Sequence, residues 1–149
     1  MSVSLFRSLK GAALAASLAV APLAALAETH HIAVQVNDND PQRMNLALNN
    51  VNNLIAAYQE MGDEVEVQIV AYGPGLHMLR ADTSPVAQRV ATMALEHPNV
   101  TFQACNNTIN AMQRQSGAEV TLLPEAHIVP AGVVHLVQLQ EQGWSYIRP

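Results

Sequence analysis

Only one cysteine occurs in the 149 residues, Cys105, so no disulfide can close within the chain and its stability rests on a hydrophobic core. Lysine is equally scarce. The single one, Lys10, lies in the opening segment, and beyond it the arginines Arg43, Arg80, Arg89, Arg114 and Arg148 are scattered among twelve acidic residues. Nucleic acid and anionic membrane both need clustered Lys or Arg to meet their phosphates, so neither is an expected partner. The chain also lacks GxxxxGK[ST] and GxGxxG, which removes any motif for nucleotide binding. There is no HExxH and no paired Cys/His spacing for zinc. Ser84, Ser116 and Ser145 have no nucleophile-elbow context, and hydrolase readings fall away with them.

The first residues have the form of a secretory signal: Arg7 and Lys10, a small apolar run from Gly11 to Leu26 broken by Pro22, and the ending Ala25-Leu26-Ala27. Cleavage after Ala27 is expected, which makes residues 1–27 a leader and 28–149 the mature domain, periplasmic or secreted and free of the membrane. Losing Arg7 and Lys10 takes the formal charge from −5 to −7. A mature terminus of Glu28-Thr29-His30 would offer an amine, two backbone amides and an imidazole, a square-planar set suited to Cu(II) or Ni(II), with His31 beside it.

Strands are expected at residues 31–38, 64–72, 100–104, 126–130 and 144–148, where Val, Ile and alternation dominate. Helices are expected at 41–61, capped by Asp40 and stopped by Gly62, at 84–97 with Ser84 as the cap, at 107–115 before Gly117, and at 132–142 before Gly143. In the first helix Met44, Leu46, Leu48, Val51, Leu54, Ile55 and Tyr58 mark the apolar face. A short helical turn is expected at 76–80. The stripe Val133, Val134, Leu136, Val137 and Leu139 reads as core, with part of it usable by an oligomer. Strict alternation of strand and helix predicts one three-layer α/β/α sandwich, its mainly parallel sheet of about five strands covered on both faces.

Ligands of such sheets bind beyond the carboxyl ends of the strands. That edge collects the loops 37–41, 73–77, 105–108 and 130–132, and with them Gly73, Gly75, Pro130 and Gly132. Cys105 closes the apolar run VTFQA and opens NNTINAMQRQ, a position where unpaired helix N–H groups favour a thiolate. Asn106, Asn107 and Thr108 could support the sulfur through amide or hydroxyl donors, or serve only as helix caps. His77 could meet the thiolate if its loop approaches. The alternative to a reactive Cys105 is a buried, inert small hydrophobe. His97 and His127 read as structural.

The segments AYGPGLHML, FQACNNT and IVPAGVVHLVQLQEQGWSYI, with the leading strand, resemble the DsrE/DsrF-like family, specifically its small exported members. The resemblance implies a parallel α/β sandwich that assembles into trimers or hexamers. It also implies a sulfur-relay role, with Cys105 carrying sulfane sulfur as a persulfide between a donor and an acceptor protein. The chain departs from better understood members in having ACNNT at the reactive position and no second thiol. No resident cofactor follows from the resemblance. The competing function is a noncatalytic oligomeric binding module that uses the carboxyl edge of the sheet, with Cys105 structural.

Overall fold

A computed structural model describes residues 27–149. The leader expected at 1–27 lies, apart from Ala27, outside the described residues.

The signals around the first helix close specific hydrogen bonds. Strand β1 (Thr29–Val36) leads into α1 (Pro41–Met61), where Asp40 Oδ1 accepts the Gln42 N–H at 2.8 Å and Pro41 opens the first turn. Gly62 ends α1 at φ 84°, a left-handed conformation that costs glycine little, and its N–H returns to the last carbonyls of the helix. Next come β2 (Glu64–Ala71), a 3₁₀ segment (Gly73–Leu79), α2 (Ala87–Glu96), β3 (Val100–Cys105), α3 (Asn106–Ser116), β4 (Ala126–Val129), α4 (Gly132–Glu141) and β5 (Ser145–Ile147).

The five strands form one parallel sheet in the order β4-β3-β2-β1-β5. From β1 to β4 the chain steps in one direction, and then β5 returns to the far side of β1. Right-handed crossovers therefore send α1, α2 and α3 to one face and α4 to the other. The main core lies on the first face, where Val34, Val67, Ile69 and Phe102 of the sheet pack against Met44, Leu48, Val51 and Val90. A smaller cluster of Ala33, Val70, Leu136 and Leu139, flanked by Tyr72 and Trp144, seats α4 on the second. The three-layer α/β/α sandwich is thus lopsided, with one helix among the described residues in its third layer.

Three sequence expectations change. Leu46 is exposed while Ala47 is buried, because the neighbouring layer meets α1 on the Met44, Ala47, Leu48, Val51, Ile55 stripe. Ser84 does not cap α2: its hydroxyl donates to the Met78 carbonyl and its oxygen accepts the Val86 N–H, tying a turn to the 3₁₀ segment, and the helix starts after Val86. The α4 stripe splits. Leu136 and Leu139 are core, but Val133, Val134 and Val137 are about half exposed, because one face of a lone helix is all the sheet can cover.

Candidate functional site at the carboxyl edge of the sheet

Cys105 is the last residue of β3 and the N-cap of α3. In register it lies opposite Val129 of β4, and one step beyond the Ala71–Ala104 pair, level with Tyr72. After β3 the chain turns toward one face, and after β4 toward the other. The carboxyl ends of these adjacent strands therefore flank a topological switch point, where open α/β sheets form their crevice.

Two helix N-termini meet there. Gly132, the first residue of α4, sits so close that a Cβ on it would lie 3.0 Å from Tyr72 Cβ and 3.2 Å from Cys105 Cβ. A glycine lets the α4 backbone come this close to Cys105 without displacing either neighbour. Thr108, in the first turn of α3, accepts the Gly73 N–H on Oγ1 at 2.9 Å and keeps a hydroxyl proton of its own to donate.

Burial pushes the Cys105 thiol up, since the residue is only 5% exposed. The Thr108 hydroxyl and the N–H groups of Gly132, Thr108 and Asn107 outweigh that effect and hold it below the ordinary thiol range. They act as oriented dipoles, for the Cys105 side chain closes no capping hydrogen bond with α3. Asn107 contributes least of the four, and its N–H is shared with the Pro130 carbonyl at 3.2 Å. Asn106 is not among the donors.

The remaining sequence candidates separate. Gly73 and Pro74 line an open depression of about 460 Å³ together with Asn39, His77, Asn107 and Thr108. His77 shares that wall, yet its Nδ1 is 2.7 Å from Thr83 Oγ1, and no hydrogen bond joins it to Cys105 among the described residues. Gly75 is a packing residue, because a Cβ there would fall 2.3 Å from the Val36 carbonyl oxygen. Pro130 meets the site through its carbonyl, which accepts the Asn107 N–H.

His30 and His31 point to opposite faces of β1, as consecutive strand residues must. His30 stacks on Tyr58 and faces Asp63, while His31 Nε2 lies 3.4 Å from Glu66 and its ring meets Trp144 edge-on. No group of three or more His, Cys, Asp or Glu side chains with metal-holding geometry occurs among the described residues.

Tyr72 belongs to the site and carried no chemical signal in the sequence. Burial raises its phenol above the ordinary range and nearby Tyr146 adds to the shift, while the Arg148 charge and then the Gln35 side chain, which also accepts the Tyr146 hydroxyl, oppose it. The available clue was positional, since Tyr72 and Cys105 each stand at the end of an apolar strand of the same sheet.

No family model matches this chain, and no curated protein does. Among solved structures it is similar to MTH1491, a protein of unknown function from Methanobacterium thermoautotrophicum, with 34% sequence identity and a TM-score of 0.69 over 80% of this chain and 99% of that one. The chain belongs to the same family as that archaeal protein. The shared part of the family is a whole domain, because the match takes in nearly all of the archaeal chain. No helix among the described residues is long and apolar enough to cross a membrane.

Proposed function

We propose that this protein is a DsrE/DsrF-like sulfur carrier that holds sulfane sulfur as a persulfide on Cys105, working in the periplasm or outside the cell after loss of its leader. The observation that carries the reading is the convergence of the α3 and α4 N-termini, with the Thr108 hydroxyl, on one thiol held below its ordinary range. In the transfer step the Cys105 thiolate attacks the outer sulfur of a donor persulfide. A new S–S bond forms on Cys105, the donor's own S–S bond breaks, and the donor leaves as a thiolate that carries the negative charge away. Once the new persulfide gives its proton to solvent, the same donors face the charge on the outer sulfur. With no second thiol in the chain, release requires an acceptor thiol on another molecule. The exposed valines of α4 are the surface this reading assigns to a trimer or hexamer.

The test is the intact mass of the exported protein, purified without reductant, before and after polysulfide, with Cys105→Ser in parallel. The expected result is a gain of about one sulfur mass that needs Cys105 and is reversed by a reductant. Modification that occurs only after unfolding would overturn it and make the edge a noncovalent binding site with Cys105 as core.

A further inference from the structure

At the amino edge of the sheet, opposite the cysteine, Asp63 holds two groups of the leading strand at once. Its Oδ1 accepts the Glu28 backbone N–H at 3.0 Å, and its Oδ2 lies 3.3 Å from His30 Nε2. The His30 ring is stacked on Tyr58 of α1 with centroids 4.1 Å apart. The Glu28 carbonyl accepts the Glu64 N–H at 2.8 Å, so Glu28 is fixed on both sides of its own Cα although it precedes the strand. A carboxylate is a stronger partner for an ammonium than for a neutral peptide N–H. The nitrogen it meets here is the one that cleavage after Ala25-Leu26-Ala27 would turn into an amine.

The geometry points to Asp63 as the docking carboxylate for the α-ammonium group that removal of the leader creates at Glu28. A leader peptidase adds one water across the Ala27–Glu28 bond, leaving a carboxylate on Ala27 and an amine on Glu28 that takes up a proton at neutral pH. The neutral contact then becomes an ion pair in the same place and pins Thr29 and His30 in their register opposite Glu64 and Val65. Glu64 and Glu66 line the groove beside Asp63, and His31 pairs with Glu66 at that edge. These are the other titratable groups that bear on the amine, with the Glu28 side chain itself.

The chain offers a clean test, since no lysine follows Lys10 and the α-amine is the one reactive amine of residues 28–149. Intact mass must first place the terminus of the exported protein at Glu28. The rate of amine acylation by a small activated ester at pH 7 is then compared across variants. The native chain should react about threefold more slowly than Asp63→Asn, the size expected of an exposed ion pair, with Asp63→Glu recovering part of the protection. A chain with one extra residue before Glu28 should show no dependence on Asp63. Equal rates in native and Asp63→Asn, or a terminus at another residue, would overturn the proposal.

Discussion

Thr108 is the residue that decides how the buried thiol behaves. Burial alone would make Cys105 a neutral core group, and the Thr108 hydroxyl is the largest single influence in the other direction. Gly73 holds its side chain in place by donating a backbone N–H to its oxygen. Thr108→Val keeps the shape and removes the proton, so the alkylation rate of the folded protein at pH 7 should fall about three- to tenfold, with Thr108→Ser retaining most of it. The midpoint of the pH–rate profile should move upward in the valine variant. The sign for stability follows from a depressed folded value. The thiolate's contribution is complete above the unfolded thiol's pKa of about 8.5 and is lost as pH falls through the lower folded value. Relative to Cys105→Ala, the denaturant midpoint should therefore rise from pH 6 to pH 9, and a flat difference would count against a stabilised thiolate.

At the scale of elements, α4 shapes the site although it follows β4, at the edge of the sheet. Its first residue lies against Cys105 and Tyr72, and a Cβ there would have to push those neighbours aside by a few tenths of an ångström. Gly132→Ala should lower stability by roughly 1–3 kcal/mol in denaturant unfolding and also slow thiol alkylation, because the helix N-terminus is pushed off the sulfur. Gly75→Ala provides the contrast. Its Cβ would strike the rigid Val36 carbonyl under the 3₁₀ segment, so the stability loss should be at least as large. The contact α4 makes deeper down, His135 Nε2 to Gln68 Oε1 at 2.7 Å, anchors the helix where burial holds the imidazole below its ordinary range and so favours the neutral ring.

At the scale of the molecule, α4 on the second face leaves Val133, Val134 and Val137 outward, and Ile128 is exposed on the edge strand β4. Apolar side chains gathered on one helix are what a subunit contact uses. Val134→Lys should convert the assembly proposed here into monomers in sedimentation velocity, with the far-UV spectrum and thermal midpoint of the subunit little changed. A native chain that sediments as a monomer would assign those valines to no subunit contact.

Local chemistry by itself determined most of the elements of this protein. The alternation of Val and Ile in the strands, Asp40 with Pro41, and the stops at Gly62 and Gly117 act within a few residues, and their structures lie where that chemistry places them. The position of Cys105 between a strand and a helix was legible for the same reason. Ser84 was misleading because a hydroxyl before a helix can serve a turn as well as a cap, and only the Met78 carbonyl across that turn decides between them. The return of β5 to the far side of β1, the passage of α4 over the opposite face, and the meeting of Gly132, Thr108 and Tyr72 around one sulfur depend on contacts far apart in sequence. Strand order and crossover direction set those contacts, and no periodicity within a single segment encodes them.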